Sequence, residues 1–190
     1  MKKYNIVEEI LMDMHDNKEI MPTMNDVVSD EVIMEKLKKV EDLDQQVGRE
    51  KRTLLIGAAD YKRKSVVEYL IKQKVDVNKK EKAGFTALHS AVMSLNSYEK
   101  CKLWERTKDW KEDDGVQILK ILLENGADVN AQDAWGNTPI MRATHLLPED
   151  IFRILLEYGA DVSIKNYYGV SARDVFAAYP NILNVFREYC

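Results

Sequence analysis

The feature that most limits what this chain can fold into is a phrase that returns at a fixed distance. Between Lys120 and Pro139 the sequence reads KILLENGADVNAQDAWGNTP. An apolar helical run, Ile121-Leu122-Leu123, is stopped by Asn125-Gly126, because glycine takes a positive φ past a helix end without a Cβ clash. An extended arm, Asp128-Val129-Asn130, leads to a turn at Ala134-Trp135-Gly136-Asn137. Thr138-Pro139 then opens a new helix, with threonine as the cap and proline at the first helical position, where no N–H is needed. The same grammar returns at Arg153 to Ser163, with its turn and cap at Gly169-Val170-Ser171. A weaker copy runs from Val66 to Asn78, followed by Gly84-Phe85-Thr86. The caps fall at Thr53, Thr86, Thr138 and Ser171, at spacings of 33, 52 and 33 residues.

A 33-residue unit with this wording resembles the ankyrin repeat, whose signature is T-P-L-H-x-A together with G-A-D-V-N. Thr86-Ala87-Leu88-His89-Ser90-Ala91 and Thr138-Pro139-Ile140-Met141-Arg142-Ala143 carry the first part, and Gly126 to Asn130 the second. Thr53-Leu54-Leu55-Ile56-Gly57-Ala58-Ala59 is a looser copy. The resemblance covers about residues 30 to 190. It implies an all-α solenoid of helix-turn-helix pairs with short β-hairpin arms. Residues 1–47 are expected to form a helical N-terminal cap that includes a degenerate repeat. The repeats follow at 48–80, 81–132 and 133–165, with a C-terminal cap at 166–190.

Local patterns fill in this frame. Ile6, Val7, Ile10, Leu11 and Met14 share one face of a helix expected over residues 1–20. A second helix is expected to begin near Thr23 or Asp26 and to carry Val32, Ile33, Leu37, Val40 and Leu43. Lys74-Val75 stands where glycine-alanine is usual, so that helix end should be more strained or differently turned. The long middle spacing places an insertion at 93–115, helical in composition, with Leu95, Tyr98, Leu103, Trp104 and Trp110 available for an apolar side. Glu112-Asp113-Asp114 lacks calcium-loop spacing and suits a solvated helix start.

Composition narrows the function. With 45% hydrophobic and 32% charged residues the chain is fit to fold, and a net charge of −4 argues against general nucleic-acid binding. No stretch reaches the ~18 apolar residues of a membrane span. Two cysteines, Cys101 and Cys190, form no metal spacing and suit a reducing, cytoplasmic setting. Catalytic and cofactor motifs are missing, so neither enzyme activity nor a cofactor is expected. By resemblance His89 holds a neighbouring hairpin through hydrogen bonds, while His145 and His15 read as surface residues.

What remains is binding. The resemblance implies that turn tips and inner-helix ends line one concave surface. Its candidate partner-binding residues are Arg49, Arg52, Asp60, Tyr61, Lys82, Phe85, Trp104, Trp135, Asn137, His145, Tyr167 and Tyr168. Aromatics at turn tips carry the most information, since they are either contacts for a partner or packing for a neighbouring hairpin. The expected partner is one protein, met by a monomer. A small acidic repeat protein of this kind resembles the immunity proteins that neutralise toxins exchanged between bacteria, which would make the partner a basic toxin domain. The alternatives are an adaptor that holds partners without inhibiting them, and a ligand-binding protein or enzyme built around the insertion.

Overall fold

The computed structural model describes residues 5–14, 28–96, 111 and 113–189. Helices dominate. In chain order they are α1 (Ile6–Met14), α2 (Asp30–Leu37), α3 (Leu54–Asp60), α4 (Lys64–Lys72), α5 (Ala87–Leu95) and α6 (Asp114–Glu124). A 3₁₀ turn (Pro139–Arg142), α7 (Glu149–Glu157), α8 (Ala172–Val175) and α9 (Pro180–Glu188) complete the order. Helix α1 packs on α2 and α3, α2 on α4, α3 on α5, α4 on α6, and α5 on the 3₁₀ turn. The elements therefore form two columns, an inner one (α1, α3, α5, the 3₁₀ turn, α8) and an outer one that includes α2, α4 and α6.

Residue size sorts the columns. Inner helix α3 is buried from Leu54 through Ala59, and its glycine and alanines let its neighbours come close. Outer helices bury one face only: Val66, Val67 and Leu70 on α4, and Ile151, Phe152, Ile154, Leu155 and Leu156 on α7. At the C-terminal end Phe152, Phe176 and Phe186 meet edge to face at centroid distances of 5.1, 6.1 and 5.9 Å. Arg63 ties the N-terminal end together. Its guanidinium lies 3.1 Å from Asp30 and donates to the last carbonyls of α1 at Asp13 and Met14.

The arms explain why the repeated phrase ends in asparagine. The Asn78 side chain donates to Gly126 O at 3.0 Å and accepts from Asp128 N at 2.7 Å. One repeat later Asn130 does the same with Gly159 O (2.9 Å) and Asp161 N (2.8 Å). An amide side chain carries its donor and its acceptor on separate neighbouring atoms, so one asparagine satisfies both groups of the next helix end. Asp44 takes the acceptor half of that role for Asp76 N. Among the described residues the arms hold no extended strands; isolated bridges join Val47 to Arg52 and Lys165 to Ser171.

Several expectations change at element ends. The first helix is described over Ile6–Met14, the rest of its expected span lying outside the described residues; the second starts at Asp30 behind Ser29, and Val40 and Leu43 pack on the core from beyond its end. Helix α5 extends to Leu95, which is fully buried, and α6 starts at Asp114 with Asp113 accepting from Gly115 N. Residues 93–95 and 114–115 of the expected insertion are thus helical continuations of the flanking elements; Tyr98, Leu103, Trp104 and Trp110 lie outside the described residues, as do His15, Cys101 and Cys190. The third repeat replaces its inner α-helix by the 3₁₀ turn. Asn96 of the preceding repeat is the physical reason. Its amide donates to Arg142 O (2.8 Å) and accepts from Thr144 N (3.1 Å), groups that a continuing helix would need for itself.

Lys74 adopts the same left-handed turn as its counterparts Gly126 and Gly159, with φ of 61° against 84° and 87°. The helix end is strained, not differently turned. A lysine held there is disfavoured by about 1–2 kcal/mol, part of which glycine's greater unfolded-state freedom would offset. Lys74→Gly should thus raise the unfolding free energy by about 0.5–1 kcal/mol in urea titrations. A loss of stability would show that the Lys74 side chain contributes more than its backbone strain takes away.

Candidate functional site

The four turns align residue for residue: Arg49, Lys82, Ala134 and Tyr167 at one position, Glu50, Ala83, Trp135 and Tyr168 at the next, then Lys51, Gly84, Gly136 and Gly169. Lys51 shares the left-handed conformation of the glycines. Each tip is tied to the next by one backbone hydrogen bond. Lys82 N donates to Glu50 O (2.8 Å), Ala134 N to Ala83 O (2.9 Å) and Tyr167 N to Trp135 O (3.1 Å). The tips therefore form one continuous edge. Within the last two turns a side chain at the first position holds the loop: Asp133 accepts from Trp135 N and Asn137 N, and Asn166 from Tyr168 N and Val170 N.

Two clusters sit along this edge. In the first, Arg52 donates to Asp60 at 2.6 Å and to the Tyr61 hydroxyl at 3.1 Å, and lies 3.7 Å from Glu81. Arg52 thus brings the turn tip and the inner-helix end of one repeat together. Burial works against its charge, but Asp60 prevails and holds its pKa above the ordinary arginine value. Burial pushes the Glu81 carboxyl up, against the pull of Arg52.

In the second cluster the Arg142 guanidinium faces two neighbouring rings, 5.2 Å from the Phe85 centroid and 5.1 Å from that of Trp135. Phe85 and Trp135 are themselves 5.9 Å apart. Arg142 is fixed from behind by the buried Asp133, which accepts from its Nε at 2.7 Å and its Nη2 at 2.5 Å. Neither Arg142 nor Asp133 stood out in the sequence. The available signal was Arg142 itself, a cation at a position held by Ser90 and Val175 in neighbouring repeats.

The remaining predicted residues divide. Arg49 and Lys82 are exposed on the edge. Trp135 keeps 42% of its surface in water, Tyr167 73% and Tyr168 75%, so packing accounts for part of Trp135 and little of the tyrosines. Asn137 serves the stack: its side chain accepts from Asn166 and its carbonyl faces His89. His145 is exposed and stacks on Tyr179 at 4.2 Å. Trp104 lies outside the described residues. Among the described residues no group of His, Cys, Asp and Glu could hold a metal ion, and no helix is long and apolar enough to cross a membrane.

His89 is fully buried beneath this edge. Thr86 N donates to its Nδ1 (3.3 Å), which assigns the proton to Nε2, 3.1 Å from Asn137 O. The neutral ring satisfies both contacts. Burial lowers its pKa below the ordinary 6.5, more than the Asn137 carbonyl and Asp133 raise it. Unfolded chain then binds a proton that folded chain refuses, so stability present above about pH 6.5 declines as the pH falls through that value. The unfolding free energy should drop between about pH 7 and pH 5.5, and His89→Gln should flatten that slope. Equal slopes in both proteins would contradict the assignment.

Comparison with known proteins agrees with this geometry. The family model of ankyrin repeats, in three copies, matches residues 3–109 and 111–172. The chain is 34% identical over 97 residues to zinc finger CCCH domain-containing protein 66 of Arabidopsis thaliana, covering 50% of this chain and 13% of that protein. It is 37% identical over 89 residues to human BCL-6 corepressor-like protein 1, covering 46% of this chain and 4% of that protein. The likeness thus spans a small part of either relative.

Proposed function

We propose that this chain, which belongs to the ankyrin-repeat family and is therefore a protein–protein interaction module, uses its row of turn tips to bind and block a single partner protein. A toxin from a competing cell, met by an immunity protein, is the instance that suits such a chain. The observation that carries the binding edge is the exposure of Trp135, Tyr167 and Tyr168 side by side on tips that the backbone locks together. Rigid aromatic side chains on a pre-ordered scaffold lose little entropy on binding. The acid behind the net charge is elsewhere: exposed Asp76, Asp128 and Asp161 lie on the arms, and Glu124 and Glu157 end the outer helices. A basic partner is therefore not required by the edge itself.

Affinity capture from the cells that make this chain tests the proposal, with wild type and Trp135→Ala/Tyr167→Ala as paired baits. One protein should be retained by wild type, and the double variant should weaken that complex by at least about 2 kcal/mol, roughly thirtyfold in Kd. Adding wild type should also abolish the partner's activity. Retention of the same protein by both baits would remove the edge from the interface. Capture without inhibition would favour an adaptor.

A further inference from the structure

The edge is not uniform along its length. At the first two tips it presents Arg49, Lys51 and Lys82, all exposed, against one exposed carboxylate, Glu50. Among the described residues none of these three cations is held in an ion pair. At the last two tips the equivalent positions hold Ala134, Trp135, Tyr167 and Tyr168, without a charge. Arg52 and Arg142, which stand beside the tips, are matched by Asp60 and Asp133. At the tip positions themselves exposed positive charge is thus confined to one end, in a chain whose net charge is −4.

We infer that the edge reads its partner in one polarity, taking an extended segment with acidic side chains at the tips of repeats one and two and large apolar or aromatic side chains at the tips of repeats three and four. The inference rests on the edge being the binding surface. Charge complementarity fixes the first half, because exposed cations without partners favour carboxylates across an interface. Exposed aromatics fix the second. Packed helices stand about 10 Å apart, so the tip bearing Lys82 and the tip bearing Tyr167, two repeats on, are separated by about 20 Å. An extended chain rises about 3.3 Å per residue, which sets the acidic and apolar groups about six residues apart.

Selection from a random dodecapeptide display library on the full purified chain tests this. Wild type should enrich peptides with acidic residues on one side and an aromatic or large aliphatic residue about six positions away, always in the same order. Synthetic versions should lose about tenfold in affinity on a variant carrying Arg49→Glu, Lys51→Glu and Lys82→Glu, and should bind more weakly as salt rises. Trp135→Ala/Tyr167→Ala should abolish their binding. All five positions are at the surface, and matching urea midpoints would show that the variants fold. Peptides without acidic bias, or indifferent to the charge reversal, would overturn the polarity while loss on Trp135→Ala/Tyr167→Ala leaves the edge standing. Peptides indifferent to the aromatic pair, or no enrichment, would overturn both.

Discussion

Asp133→Ala should destabilise the protein by about 3–5 kcal/mol, the scale for removing one member of a buried charge pair. The Asp133 side chain is shut off from water and receives four donors: Trp135 N, Asn137 N, and Nε and Nη2 of Arg142. Truncation leaves two backbone amides without acceptors and a guanidinium without its counter-charge. Asp133→Asn should recover part of the loss, because its amide oxygen still accepts the two backbone N–H groups. Urea unfolding of the three proteins, with equal m values, separates the turn contribution from the charge contribution. A loss below about 1 kcal/mol for alanine would mean that the turn and Arg142 find other partners.

Gly136→Ala should cost about 3 kcal/mol or more, and Gly169→Ala only about 1–2 kcal/mol. Both glycines have left-handed φ, 80° and 77°, so both substitutions carry the same backbone penalty. They differ in what a Cβ would meet. At Gly136 it would fall 2.8 Å from Tyr167 N and 3.0 Å from Asn166 Cα, where backbone cannot step aside; at Gly169 nothing lies within 4 Å. The excess at Gly136 therefore measures how tightly one turn tip is pressed on the next, the contact that makes the edge continuous. Gly84→Ala should behave like Gly136→Ala, since its Cβ would stand 2.6 Å from Ala134 N. Equal losses at Gly136 and Gly169 would mean that the tips separate freely.

The repeat was legible because its parts are local. Threonine or serine before each inner element, glycine after the outer helices and asparagine in the arm each act on groups within a few residues or one repeat away. Thr53, Thr86 and Ser171 cap as their positions imply. Thr138 does not: in the 3₁₀ turn Met141 N donates to Thr138 O, and the buried Thr138 hydroxyl has no hydrogen-bond partner among the described residues. That departure depends on Asn96, 46 residues before Arg142, and no local pattern could announce it.

The site was legible in part for the same reason. Turn-tip positions follow from the period, so Trp135, Tyr167 and Tyr168 could be placed on one edge from numbering alone. The Arg142 cluster could not, because it needs residues from two repeats, Phe85 and Trp135, to meet beside a cation from another segment. Nor could sequence alone tell that Asn137 faces the stack and His145 a neighbouring tyrosine, since both are decided by side-chain direction.

The central claim is that one edge of the stack, and not its outer helices, meets the partner. Amide hydrogen exchange on the complex with the captured protein tests it most directly. Protection should rise at 49–52, 82–85, 134–137 and 167–170 and stay unchanged along α4, α6 and α7. Protection concentrated on those outer helices, with the turn tips exchanging as in the free chain, would contradict it.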